Sequence, residues 1–185
     1  MSALDTWTRG SHTFDGSTRP TYRKGTGPGV VVVHELPGIT PKVVAFADEV
    51  VDAGFTVVLP ELFGTTGAAG TVTQVLKVLP KVCVSKEFTK LATGETTPVA
   101  GWLRSLARSL HEDVGGPGVG ALGMCFTGGF ALAMMVDDSV VAPVVCQPSA
   151  PFAIGQRRGA DLNLSPADLD AVRRRAEAGC PVLGL

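Results

Sequence analysis

The chain has little charge, no long apolar run, and no histidine after its most reactive-looking residue. Only 18% of its 185 residues are charged, 16 basic against 17 acidic, for a formal net charge of −1. That balance builds no field suited to nucleic acid or to an anionic membrane surface. The longest apolar stretch, around Gly128 to Val136, ends at Asp137-Asp138 and is too short to cross a bilayer. The first ten residues carry Asp5 and Arg9 and no apolar segment, unlike a secretory signal. The four cysteines, Cys83, Cys125, Cys146 and Cys180, show no Cys-x-x-Cys spacing, which argues against a zinc site or a disulfide frame. No metal or cofactor is expected, and a cytoplasmic location is the default. The three histidines are His12, His34 and His111, and all precede Cys125.

What the chain does have is hydrophobic mass. Apolar residues make up 45% of it, enough for one well-buried domain spanning residues 1–185. Asp15-Gly16 between short β-like runs predicts a hairpin over residues 11–24. Pro20 in its second strand, Thr18 to Lys24, places that strand at a sheet edge. Val30-Val31-Val32-Val33 has the pattern of a strand buried on both faces of a parallel sheet. Pro41 to Ala53 repeats its apolar residues near helical spacing, with Pro41 in the first turn and Gly54 as the stop. Phe55 to Pro60 reads as a strand, Gly64 to Thr73 as a loop, and Thr97 to Leu110 as a helix. Val140 to Cys146 is a further buried strand. Ser165-Pro166-Ala167-Asp168 opens a helix that Gly179 ends, and Pro181 to Leu185 begins one more strand. Strands alternating with helices predict a three-layer α/β domain, a mostly parallel sheet flanked by helices.

The most pointed local signal lies between two of these elements. Val119 to Gly123 reads as a strand, and Met124-Cys125-Phe126-Thr127-Gly128-Gly129 turns directly into the apolar run from Phe130 to Met135. Strand, tight turn and helix around one nucleophile form an elbow that lifts the reactive atom above the sheet. The amides of the following helix favour thiolate over thiol. Cys83, Cys146 and Cys180 lack this context and read as packing residues.

Three segments fall at the carboxyl ends of predicted strands, where open α/β sheets bind ligands. They are His34-Glu35-Leu36-Pro37-Gly38, Pro60-Glu61-Leu62-Phe63-Gly64, and the elbow at Cys125. Together, from about Val30 to Leu185, they resemble the dienelactone hydrolase family, cysteine-dependent members of the α/β-hydrolase superfamily. The resemblance implies that Cys125 is the nucleophile and that Glu35 contacts it and takes part in its activation. It also implies that the backbone amides of Leu36 and Phe126 form the oxyanion hole. The substrate would be a small-molecule ester or lactone, cleaved through a thioester.

Two departures qualify the match. Thr127 stands where the family usually has glycine, so it either widens the turn or packs in a local pocket. The family's acid and histidine, which follow the nucleophile, have no counterpart here; Asp137, Asp138, Asp161, Asp168 and Asp170 read as turn or helix-surface residues. The sequence therefore reads as a C-terminally incomplete α/β-hydrolase-like domain lacking the last strands, and as weakly active for want of the triad acid and histidine. A natural short protein that works without the base is the alternative. His34 and Glu61 read as bracing groups, and Lys86 and Arg104 as solvated surface. A second functional class remains in view: the DJ-1/PfpI superfamily, in which an elbow cysteine beside a glutamate senses oxidants or attacks glyoxal-type carbonyls.

Overall fold

β-branched runs dictate the centre of the molecule, because valine fits a pleated surface covered on both sides. The computed structural model describes residues 3–84, 96–148, 162 and 164–185, and for residues 79, 81–84 and 126 the backbone alone. In chain order the elements are β1 (Thr8–Phe14), β2 (Ser17–Lys24), β3 (Gly29–Val33), α1 (Pro41–Asp52), β4 (Thr56–Pro60) and α2 (Val72–Val84). They continue with α3 (Pro98–Val114), β5 (Val119–Met124), a 3₁₀ turn (Cys125–Thr127), α4 (Gly128–Met134), β6 (Val140–Cys146), α5 (Pro166–Glu177) and β7 (Leu183–Gly184). The sheet order is β1-β2-β4-β3-β5-β6-β7, with β3 to β7 parallel and β1 and β2 antiparallel.

Strand alternation splits the core into two layers. Val31, Val33, Val58 and Ala121 face Trp102, Leu103 and Leu106 of α3 and Phe130 and Met134 of α4. Val32, Val57, Leu59 and Leu122 face Val43, Val44 and Ala47 of α1, together with Leu4 and Trp7. A third cluster joins Ala100, Ala133 and Met135 to Leu164 and Val172, seating α5 behind α3 and α4. This is the mostly parallel three-layer α/β sheet that the alternation of elements predicts.

The helix boundaries follow local chemistry. The Thr40 hydroxyl accepts from the Val43 amide at the start of α1, and the Ser165 hydroxyl accepts from Asp168 at the start of α5, each ahead of a first-turn proline. The hairpin turn is Asp15-Gly16 with φ of 48° and 74°, the left-handed pair that a two-residue turn requires. Its first strand begins at Thr8, earlier than the sequence suggests.

Two readings are corrected. β2 is not an edge strand; β1 covers it, and it lies between β1 and β4. Pro20 is tolerated because its carbonyl, which accepts from Glu61 N at 2.9 Å, points toward β4. Its nitrogen therefore points the same way, past Pro60, where the β2–β4 pairing ends. The second correction is α2, which the sequence reading passes over. Pro80 sits inside it and disguises the helical spacing, and Val72 and Leu76 leave 75% and 64% of their surface in solvent. Among the described residues no helix is long and apolar enough to cross a membrane.

Candidate active site

The end of β5 is an elbow. Cys125 has φ of +53°, a left-handed conformation that costs a non-glycine residue about 1–2 kcal/mol and persists only where the surroundings impose it. They do so through Gly123 and Thr127. A Cβ on Gly123 would lie 2.3 Å from the Thr127 carbonyl, so only glycine admits the returning chain. Thr127 is fully buried, and its hydroxyl accepts from Met124 N at 3.2 Å and donates toward Met124 O at 2.9 Å and Val33 O at 3.1 Å. The threonine in place of the family's glycine thus packs in a pocket and ties the elbow to the end of β3. Cys125 itself is half-buried and, like Leu36 and Phe63, packs against the rim of the core, and none of Cys125, Cys146 and Cys180 is in a disulfide.

Register brings the second candidate beside it. Val33 pairs with Gly123 across the β3–β5 ladder, so Glu35 and Cys125 each lie two residues beyond a matched pair. Neighbouring strands are about 5 Å apart, and the two residues occupy adjacent strand tips. Glu35 is half-buried. No acceptor among the described residues takes the Leu36 amide proton. The amide of Phe126 belongs to the first turn after the elbow, on the same rim.

The β3 and β4 tips are locked together. A Cβ on Gly64 would fall 1.8 Å from the Pro37 carbonyl, and Gly67 N donates to Ile39 O at 2.8 Å. His34 is completely buried between them; its Nε2 accepts from Leu62 N at 3.1 Å and its Nδ1 lies 3.0 Å from Glu35 O. Burial lowers its pKa to about 4, against smaller opposing effects of the Glu35 carbonyl and the Glu61 charge. The ring is therefore a neutral structural bridge with both nitrogens engaged. Glu61 accepts from Tyr22 Oη at 3.1 Å and Thr66 Oγ1 at 2.6 Å, a loop-bracing carboxylate as the sequence suggests.

The other histidines stand elsewhere. His12 is on β1, with three strands between it and β5, bonded to Ser105 and edge-on to Trp102. His111 is in the last turn of α3, which leads back to the start of β5, so it lies at the opposite end of the sheet. Arg104 departs from its expected role as solvated surface. It is only 19% exposed, pairs with Asp168 at 2.6 Å and donates to Ala133 O at 2.6 Å, clamping α3, α4 and α5. Burial pushes the Asp168 carboxyl up, but hydrogen bonds from Thr96 and Arg104 and the guanidinium charge prevail and hold it below its usual range. Asp137 accepts from Arg108 and Ser139 near the end of α4, away from a strand's carboxyl tip. Lys86 and Asp161 lie outside the described residues, as does the Cys83 side chain. Among the described residues no group of three His, Cys, Asp or Glu side chains could hold a metal ion.

A parallel sheet with helices on both faces and an elbow at the tip of a central strand defines the α/β-hydrolase class. A model of the dienelactone hydrolase family matches residues 17–161, most of the chain, and the chain belongs to that family. The match takes in β2, which the sequence resemblance leaves out. No curated protein sequence matches it significantly. A Klebsiella pneumoniae structure assigned as a dienelactone hydrolase superposes with a TM-score of 0.58 at 15% identity, covering 98% of this chain and 85% of that one. An epoxide hydrolase from Vigna radiata gives 0.52 at 16% identity, over 77% of this chain and 38% of that one. A haloalkane dehalogenase variant from Agrobacterium tumefaciens gives 0.50 at 14% identity, over 80% and 44%. These likenesses concern the fold, and the chain spans less than half the length of the last two.

Proposed function

We propose that the chain is a thiol hydrolase that cleaves a small ester or lactone through an acyl-Cys125 thioester. The observation that carries this reading is the strained elbow at Cys125, facing the tip of β3 with its glutamate and its uncommitted Leu36 amide. Attack by the Cys125 thiolate converts the substrate carbonyl to a tetrahedral oxyanion, which the Leu36 and Phe126 amides receive; one such donor is worth roughly 10²–10³ in rate. Collapse breaks the acyl–oxygen bond, leaving a thioester and an alkoxide. Glu35 takes the thiol proton and returns it to that alkoxide, then serves as base while water attacks the thioester.

Glu35 is a poor base for this work. A carboxylate is a weaker base than an imidazole. None of the three histidines relieves it, because His34 is fully engaged and His12 and His111 lie away from the elbow. Slow turnover follows for these residues acting alone, with an oxyanion hole and binding retaining about 10³–10⁴-fold over water. The family match favours this reading over the DJ-1/PfpI alternative.

The test is a burst assay with p-nitrophenyl acetate. One equivalent of p-nitrophenolate per chain, released ahead of slow turnover and absent in Cys125→Ala, supports the reading. A burst that survives in Cys125→Ala refutes it.

A further inference from the structure

We infer that His34 is the positioning residue of the oxyanion hole: its ring holds the Glu35 carbonyl and thereby aims the Leu36 amide. This rests on the thiol-hydrolase reading above and adds a residue that acts through the backbone without touching substrate.

The argument begins with the tautomer. Leu62 N can only donate, so His34 Nε2, 3.1 Å away, must accept. The ring proton is then on Nδ1, which donates to Glu35 O at 3.0 Å. The same carbonyl oxygen accepts from Gly38 N at 2.9 Å. Two donors fix its direction.

The consequence lies in the next bond. The Glu35 carbonyl and the Leu36 N–H belong to one planar peptide unit; the only cis bond among the described residues is Leu36–Pro37, so this unit is trans. In a trans unit the N–H points opposite to the C=O. Pinning the carbonyl toward the buried ring therefore turns the Leu36 N–H away from it, leaving it without an acceptor among the described residues. The ring cannot swing. Phe63 meets it edge-on with centroids 4.4 Å apart, and the Pro37–Gly38 backbone is seated on Phe63–Gly64. Burial keeps the ring neutral, so Nε2 stays an acceptor and the tautomer does not change near neutral pH.

A brace between two loops would lower stability when removed, and no more. A positioning role separates the two nitrogens. In His34→Asn the amide N–H replaces the Nδ1 donor to Glu35 O and loses the contact to Leu62. In His34→Gln the longer amide keeps an acceptor for Leu62 N and loses the donor to Glu35. The readout is the acylation rate of Cys125 by p-nitrophenyl acetate divided by its alkylation rate by iodoacetamide, since attack at the iodoacetamide methylene develops no oxyanion. His34→Gln should lower this ratio about 10- to 100-fold while His34→Asn stays within about threefold of wild type. Equal ratios in all three proteins, or losses that simply track stability, overturn the inference. Wild type that alkylates at Cys125 but is never acylated overturns the hydrolase reading and this one with it.

A measurement on the unaltered protein covers the case in which either variant does not fold. Addition of a trifluoromethyl ketone, which forms a hemithioketal with a thiolate, should shift the Leu36 amide proton and the His34 Nδ1 proton together in the NMR spectrum. A Leu36 amide that does not respond when the adduct forms contradicts the inference.

Discussion

The tips of β3 and β5 lie side by side and are held by different means. At β3 a buried aromatic ring reaches forward and fastens a carbonyl of the following loop; at β5 a buried hydroxyl reaches back and fastens the strand's own last residue and its neighbour. The first device fixes a peptide plane that substrate would meet. The second fixes the bend that carries Cys125, the proposed nucleophile. In both, a polar side chain is buried with its partners satisfied, and that is where a polar group gives directional control without a desolvation penalty. The contrast also separates what each loss should do: damage at β3 misdirects an amide, and damage at β5 relaxes the elbow.

The largest expected effect comes from the seam joining β3 to its other neighbour. Gly64→Ala puts a methyl 1.8 Å from the Pro37 carbonyl at a φ of +85°, and should cost at least about 3 kcal/mol in urea unfolding while removing the acylation burst. Retention of both stability and burst would mean that the two loops are not locked.

Next comes the pH dependence of the β3 tip. His34 is depressed from 6.5 to about 4, so the folded state binds fewer protons than the unfolded state in that window. Its contribution is complete above pH 6.5 and is lost as pH falls through about 4, roughly 3 kcal/mol in all. His12, also lowered by burial, acts in the same direction, so the comparison that isolates His34 is the slope of stability against pH in His34→Asn. That slope should be clearly shallower than in wild type. An unchanged slope would show that the ring titrates freely.

At the β5 tip, Thr127→Val keeps the shape but strands Met124 N, and should cost about 1–3 kcal/mol and slow acylation. Asp168→Asn supplies the control in the helical layer, outside both tips. It loosens the clamp among three helices by about 2 kcal/mol, the pair being mostly buried, and should leave the acylation rate per folded molecule unchanged. Equal kinetic loss in the two variants would remove the distinction between elbow and scaffold.

Much of this was legible in the chain, for identifiable reasons. The four valines of β3, the Asp-Gly turn, Pro41 in the first turn of α1 and the Ser165 cap are local signals, and each appears where local chemistry puts it. The elbow was legible because a strand that ends in a nucleophile and opens at once into a helix has few other solutions. Local signals failed where partners were distant or a breaker misled. The placement of β2 depended on β1 outcompeting solvent for its free edge, α2 was hidden by Pro80, and Arg104 meets Asp168 across 64 residues. The engagement of both His34 nitrogens needed the β4 tip beside it, which sequence spacing does not disclose.

The most direct test is to map where an acyl group goes. After a brief exposure to an activated ester, peptide mass analysis should find the acyl mass on Cys125, removable by neutral hydroxylamine, with Cys83, Cys146 and Cys180 unmodified. An acyl group spread evenly over the four cysteines, or found on none of them, would contradict the assignment of Cys125 as nucleophile.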